Sequence, residues 1–408
     1  YVVGGFYQKD ETTFCVAQLL GFLDLASGGL PFGSWNQNPY ILCNDQRAES
    51  KAVFAEGTYE LTESLTLTAG ARYTWEDKTW HGRQQAFVQT LGGGFDPGFT
   101  WRELGDNIEA GDFDRFPLGV VTVDEDWNEP TWRLSLAYQA TDDLMYYASY
   151  ARGFKGGGFN DQIGGFAPFE ADLDAFAEAS TPTNPEKADS YEIGMKSEWL
   201  DNSLRANLTA FYVEYTDVQK QIVVPIEVNG QPNQVTRFFN AAEMQVMGLE
   251  AELTYQPTDE LLLRSVLGWQ DGEYDEYTTP IPAGYDLTDA DIDRAPEWQY
   301  TLDGTYTFCV AEGLDLLVNA NVTYTDENLF TQSIATPDDN TYLDARTLVN
   351  ANITLKPRDD RYFVRLIGRN LTDQTYKSAS QVVGGLWAFT IYGPPRYFGL
   401  EAGMKFGK

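Results

Sequence analysis

Leu65-Thr-Leu-Thr-Ala-Gly-Ala-Arg-Tyr73 alternates with a period of two: Leu65, Leu67, Ala69, Ala71 and Tyr73 share one face, and Thr66, Thr68, Gly70 and Arg72 share the other. Successive side chains of a strand point to opposite faces, so this stretch reads as a β-strand with one apolar and one polar side. The division recurs downstream. Trp132, Leu134, Leu136 and Tyr138 oppose Arg133, Ser135, Ala137 and Gln139, while Leu204, Ala206, Leu208, Ala210 and Tyr212 oppose Arg205, Asn207, Thr209 and Phe211. In 314–324 the polar set holds Asp315, Asn319, Asn321 and Thr323, and in 349–356 it is Asn350, Asn352, Thr354 and Lys356. The last strand sets Phe398, Leu400, Ala402, Met404 and Phe406 against Gly399, Glu401, Gly403 and Lys405. Strand by strand, a soluble antiparallel sheet with one wet face would read the same.

Connection lengths separate the two readings. Fourteen candidate strands lie near 1–9, 51–60, 65–79, 129–139, 144–156, 187–199, 203–224, 236–256, 260–277, 297–308, 314–330, 342–356, 361–377 and 395–408. Short connections (62–64, 141–143, 200–202, 257–259, 311–313, 357–360) take turns with long ones near 10–50, 80–128, 157–186, 225–235, 278–296, 331–341 and 378–394. A transmembrane barrel keeps tight turns at one end and elaborate loops at the other, whereas a sandwich has no cause to. The expected fold is therefore all-β: a transmembrane antiparallel up-and-down β-barrel, residues 1–408 forming one barrel domain with long extracellular loops and short periplasmic turns. Many strands exceed the roughly 9 to 11 residues that cross a bilayer, so hairpins should project beyond it. Aromatics near strand ends, as in Tyr73, Trp75 and Trp80 or Tyr146, Tyr147 and Tyr150, suit interfacial girdles.

Composition narrows the function. The chain of 408 residues carries 61 Asp plus Glu against 28 Lys plus Arg, a formal net charge of -33, which argues against nucleic acid as a partner. No apolar run approaches the roughly 20 residues of a spanning helix. His81 is the sole histidine among three cysteines, too little for a His or Cys metal centre or a His-based triad, and no carboxylate pair, nucleophile or cofactor loop stands out. No catalysis and no cofactor are expected. Gly153-Phe-Lys-Gly-Gly-Gly158 matches neither nucleotide fingerprint and reads as a strand leaving the membrane into a flexible loop. Asp286, Asp289, Asp291 and Asp293 lack EF-hand spacing and read as solvated surface charge. Phe169, Leu173 and Phe176 at i, i+4, i+7 predict a short loop helix within 166–179.

Several stretches go beyond pattern. Tyr146-Tyr-Ala-Ser-Tyr-Ala-Arg-Gly-Phe-Lys-Gly-Gly-Gly-Phe-Asn160 followed by Asn184-Pro-Glu-Lys-Ala-Asp-Ser-Tyr-Glu-Ile-Gly-Met-Lys196 resembles the strand pair found in barrels of TonB-dependent outer-membrane receptors. The segments 204–219, 240–252 and Arg294-Ala-Pro-Glu-Trp298 resemble the next parts in order, and Gly368-Arg-Asn-Leu-Thr-Asp-Gln-Thr-Tyr376 with Gly393-Pro-Pro-Arg-Tyr-Phe-Gly399 resembles the closing hairpin. The resemblance implies a monomeric transporter of the Gram-negative outer membrane with about 22 strands and an N-terminal plug. Its plug, its TonB box and about eight early strands are then expected upstream of Tyr1. It implies TonB-dependent active uptake of a scarce bulky solute, with a ferric siderophore as the default and oligosaccharide or another small molecule as options. TonB, reached through the upstream part, and outer-membrane lipid with lipopolysaccharide are the expected partners. A passive porin-like channel and a structural barrel anchoring a surface assembly stay open as alternatives.

Within this frame the loop aromatics Trp80, Trp101 and Trp127, together with Trp387, Phe389 and Tyr392, are candidate ligand contacts, although packing among the loops fits them equally. Arg72, Arg133, Arg205, Arg264, Arg365 and Arg369 fall on or near polar strand faces and are expected in the lumen, lining the solute path, meeting plug carboxylates or pairing with neighbouring acids. Cys15 and Cys43 flank the first long loop and are expected to form a disulfide in an exported protein, with two free thiols as the alternative; Cys309 has no evident partner.

Overall fold

The computed structural model describes residues 1–18, 40–85, 120–160, 181–228, 231–279, 285–332, 341–383 and 387–406. Its strands are β1 Val2–Gln18, β2 Tyr40–Thr62, β3 Leu65–Gln85, β4 Val120–Thr141, β5 Leu144–Lys155, β6 Glu186–Trp199 and β7 Leu204–Val228. Then come β8 Gln231–Tyr255, β9 Leu261–Thr279, β10 Tyr285–Asp286, β11 Trp298–Ala311, β12 Leu314–Thr325, β13 Asn328–Leu329 and β14 Tyr342–Leu343. The last are β15 Arg346–Pro357, β16 Tyr362–Arg369, β17 Lys377–Val383, β18 Trp387–Tyr392 and β19 Tyr397–Met404. Fourteen of these form one antiparallel wall in the order β1-β2-β3-β4-β5-β6-β7-β8-β9-β11-β12-β15-β16-β19, each beside its predecessor along the chain. The remaining five lie in connections at the loop end. Among the described residues β1 and β19 are not paired with each other. The loop helix expected within 166–179 lies outside the described residues.

The strands run further than hydrophobic alternation marked them. β7 and β8 pair from Leu204↔Tyr255 to Val228↔Gln231, so most of the connection expected at 225–235 is strand. Outside the bilayer neither face needs to be apolar, so backbone pairing continues where the sequence pattern has faded. β16, in contrast, stops at Arg369 instead of continuing to about 377. Asn370 adopts a φ of 49° and closes a turn: its Oδ1 accepts from the Gln374 N–H at 2.9 Å, and its Nδ2 donates to the carbonyls of Gln374 (2.8 Å) and Pro394 (3.2 Å).

The register fixes two unlike faces. Leu134, Leu136, Ile193, Leu208, Leu249, Leu302 and Leu400 project outward, with Ile193 63% and Leu249 54% exposed, and contiguous apolar exposure on this scale fits contact with hydrocarbon. Aromatic pairs bound the belt at its loop end: Tyr73 and Trp75 at 4.7 Å, stacked Tyr150 and Tyr191 at 4.9 Å, and Trp269 with Trp298 at 6.2 Å. Both of those indoles donate to Glu297 Oε1 at 3.1 Å, so the apolar ring faces lipid while the N–H is satisfied at the wet edge.

The inner face is polar and internally paired. Asn319 Nδ2 donates to Asp303 Oδ2 at 2.8 Å, Asn352 Nδ2 to Asn319 Oδ1 at 2.9 Å, and Thr354 Oγ1 to Asn352 Oδ1 at 3.3 Å. Arg365 Nε then donates to Thr354 Oγ1 at 2.9 Å, and its Nη1 lies 3.3 Å from Glu401 Oε2. One chain of side-chain hydrogen bonds thus crosses β11, β12, β15, β16 and β19, meeting the demand that polar groups remote from water be satisfied. Close backbone packing uses glycine at two cross-strand pairs, Gly194 opposite Tyr147 and Gly248 opposite Phe211, where a Cβ would meet the ring at 2.5 and 2.4 Å.

Candidate functional site

Beyond the aromatic belt the inner face of the projecting strands forms the wall of a vestibule. Glu76, Lys78 and Trp80 continue the inward set of β3, since Tyr73 and Trp75 alternate with them and face out. Trp127, paired with Glu76, joins them from β4. Phe159, just after the glycines that follow β5, stacks on Trp80 with ring centroids 6.0 Å apart and meets Trp127 at 6.2 Å. All three rings are buried, Trp80 to 1% exposure. Two of the six aromatics singled out from sequence are therefore brought together, with their faces turned to a packed cluster. Phe159 was missed because nothing in Gly156-Gly-Gly-Phe159 announces that the segment folds back on the wall. The segment read as a flexible loop is instead held: Lys78 Nζ donates to the Gly157 carbonyl at 2.7 Å and lies 5.4 Å from the Trp127 ring centroid. Among the described residues Trp80 Nε1 and Glu76 Oε2 are buried without a hydrogen-bond partner, the carboxylate oxygen lying 3.5 Å from Lys78 Nζ.

A second cluster stands where β7, β8 and β9 project furthest. Val218, Ala242, Tyr274 and Tyr277 form a small core, with Leu287 and Ile292 of the β9–β11 connection packed on it. Lys220 enters this core: its Nζ donates to Tyr274 Oη at 2.5 Å, lies 4.8 and 5.7 Å from the Tyr274 and Tyr277 ring centroids, and is 3.8 Å from Asp293 Oδ2. Burial lowers the Lys220 pKa from its ordinary value, and burial raises that of Asp293 despite the nearby Lys220 and Arg294 charges. The acid stretch read as solvated charge is thus partly structural. Asp293 is drawn into the wall, Asp291 accepts from Tyr342 Oη at 2.8 Å, and burial followed by that bond pushes the Tyr342 phenol up to about 12. Asp286 accepts from Thr288 N–H at 3.0 Å in a local turn.

The other singled-out residues fall as follows. Register carries Arg72, Arg133, Arg205, Arg365 and Arg369 to the polar inner face. Arg133 pairs with Glu56 at 2.7 Å and Arg205 with Glu198 at 2.8 Å, while Arg72 donates to Thr74 at 3.0 Å beneath the Phe6 ring. Phe389 and Tyr392 are exposed on β18. Trp101 lies outside the described residues, as does the side chain of Trp387, whose backbone pairs with Val383. Cys15 is the direct cross-strand partner of Cys43, whose side chains likewise lie outside the described set. Cys309 is exposed near the turn end, with Arg358 Nη2 at 3.3 Å. Among the described residues no three His, Cys, Asp or Glu side chains converge on a point where a metal ion could sit.

An antiparallel wall that is apolar outside and polar inside, with tight turns at one end and elaborate connections at the other, is that of a transmembrane β-barrel. Residues 9–371 match the family model described as TonB dependent receptor-like, beta-barrel, and the chain belongs to that family of Gram-negative outer-membrane proteins. Among solved structures it is similar to the ferric yersiniabactin uptake receptor FyuA from Yersinia pestis at 15% identity and a TM-score of 0.64, covering 99% of this chain and 55% of that one. It is also similar to the siderophore receptor PiuA from Acinetobacter baumannii at 18% identity and a TM-score of 0.59, covering 89% and 43%. The copper transporter OprC matches at 13% identity and a TM-score of 0.60, covering 90% and 55%. The chain spans about half the length of these proteins, and at such identities the likeness is one of fold.

Proposed function

We propose that residues 1–408 are the C-terminal wall of a TonB-dependent transporter that takes up a scarce bulky solute across the outer membrane, a ferric siderophore being the default cargo. The observation that carries this is the polar inner face: amides, hydroxyls and arginines linked across the wall from Asp303 to Glu401, behind an apolar outer face. Such a surface suits a water-filled or plugged lumen. Support for a plug, a TonB box and about eight further strands preceding Tyr1 comes from the half-length match to receptors and from the roughly 22 strands of plugged transporters. In this reading the vestibule admits the solute, lumen arginines contact the plug or the cargo, the exposed Phe389 and Tyr392 contact ligand from the last connection, and the barrel works as a monomer in lipid. A cross-strand disulfide between Cys15 and Cys43 would brace the first hairpin; opposed strand residues meet the Cα spacing such a bond needs.

The test is uptake of radiolabelled ferric catecholate, hydroxamate and phenolate chelates by cells with and without the gene, each with and without TonB. Loss of uptake of one chelate class in both deletions is expected. Entry that needs the gene and continues without TonB would replace this reading with a passive channel.

A further inference from the structure

We infer that the two feet of the β5–β6 connection, residues 155–160 and 181–186, form a fixed ledge on the inner wall of the vestibule and set the width of the path beneath it. The inference deepens the transport reading and rests on it only in taking the inner face as the solute route. A connection between neighbouring strands ordinarily turns back over its own hairpin and binds little else. These feet are tied to strands on both sides. Lys78, on β3, holds the Gly157 carbonyl at 2.7 Å. Gln219, on β7, donates from Nε2 to the carbonyls of Gly156 at 3.0 Å and Asn184 at 2.9 Å, while its own N–H donates to Glu186 Oε2 at 2.9 Å. Asn240, on β8, accepts from the Asn184 N–H at 2.7 Å and donates to the Asn184 carbonyl at 3.0 Å and the Asp217 carbonyl at 2.6 Å. The two feet also join each other, Thr183 N–H donating to the Gly158 carbonyl at 2.8 Å.

The outermost anchors therefore lie two strands away from the hairpin on either side, on β3 and β8, and the ledge crosses the inner faces between them. Its contact with the wall leaves no slack. A Cβ on Gly157 would stand 2.3 Å from the Trp127 ring and 2.4 Å from the Thr183 carbonyl, and one on Gly156 would stand 2.4 Å from Glu76 Oε2. Gln219 is 8% and Thr183 2% exposed, so their bonds are shielded from competing water, whereas those of Asn240 lie at the exposed edge. Held at this many points by backbone-directed bonds, the feet belong to the wall and do not swing as a lid. Lys78, Gln219 and Asn240 are positioning residues for that ledge.

The test places a cysteine below the ledge, Ser190→Cys, at a half-buried inward position of β6, in the full-length protein carrying Cys309→Ser. Intact cells are treated from outside with a small maleimide and with one carried on a bulky polyethylene glycol, the parent lacking Ser190→Cys giving the background. The small reagent should react and the bulky one should be excluded. Adding Gln219→Ala and Asn240→Ala removes four side-chain hydrogen bonds to the feet and should raise the bulky reagent's rate at least about tenfold, the change that one or two bonds of ordinary strength would give in a local opening equilibrium, and leave the small reagent's rate unchanged. Gly157→Ala, which keeps every side-chain anchor but removes the space, should do the same if the double variant fails to assemble. Equal bulky labelling with and without these changes, or free entry of the bulky reagent in the unaltered vestibule, would overturn the ledge. Neither readout needs ligand, TonB or uptake, so failure of the transport reading and failure of the ledge are told apart.

Discussion

Lys220 and Asp293 show what a single charged pair does in the projecting part of the wall. Each is drawn out of water, and the chief return is their mutual attraction with the Tyr274 hydroxyl. Removing one partner by Lys220→Met should loosen the docked β9–β11 connection by about 1 to 3 kcal/mol, because a half-buried carboxylate loses its cation. Replacing both, Lys220→Met with Asp293→Leu, should recover most of that loss; hydrogen exchange of the 287–293 amides reads both. The pH dependence follows from the directions of the shifts. Between its ordinary pKa and its raised folded value Asp293 binds more protons in the docked state, so docking weakens as pH rises through that window. Lys220, lowered by burial, sheds its proton sooner when docked, so docking strengthens as pH climbs toward its ordinary 10.5. Protection, corrected for intrinsic exchange, should therefore rise when neutral solution is acidified into the Asp293 window, and Asp293→Asn should abolish that rise.

At the scale of elements, the amide ladder and the tight turns carry separable loads. Asn352 both donates to Asn319 and accepts from Thr354, so Asn352→Ala leaves the half-buried Asn319 and the buried Thr354 each short of a partner. It should cost about 1 to 3 kcal/mol of wall stability, seen as a lower urea midpoint in lipid vesicles. The β6–β7 turn runs through Leu200, Asp201 and Asn202 at φ 55°, 54° and 65°, the left-handed region that costs a side chain such as leucine about 1 to 2 kcal/mol. Leu200 is 63% exposed and packs little, so Leu200→Gly should raise the same midpoint by up to about 1 kcal/mol.

At the scale of the whole molecule, membrane solvation decides which face is which. Leu249 points outward six residues from the end of β8 at Tyr255, about 20 Å along the strand and, for a strand tilted by about 45°, about 14 Å along the bilayer normal, hence near the midplane. Leu249→Arg should destabilise the barrel by about 2 to 4 kcal/mol in vesicles, whereas the same charge one position on, Glu250→Arg on the inner face, should cost far less. Equal costs would show that the two faces are solvated alike and would undo the barrel reading. In the outer membrane, the full-length protein should migrate well above the mass of these 408 residues and yield peptides preceding Tyr1, as the proposed plug requires.

The sequence by itself determined the wall. Period-two alternation at Leu65–Tyr73 and its repeats records which side of each strand meets hydrocarbon, a constraint every lipid-facing residue obeys locally, and short against long connections record which end is which. It also placed the arginines on the inner face, because face is a matter of parity along one strand. What neighbours those side chains meet was beyond it. Phe159 on Trp80, Lys78 on the Gly157 carbonyl and Lys220 on Asp293 join positions tens of residues apart in the chain, and outside the bilayer no periodic solvent marks them. Only the register of whole strands brought these groups within bonding distance, so the tertiary structure alone turned a glycine run into a clamped ledge and an acid cluster into a buried contact.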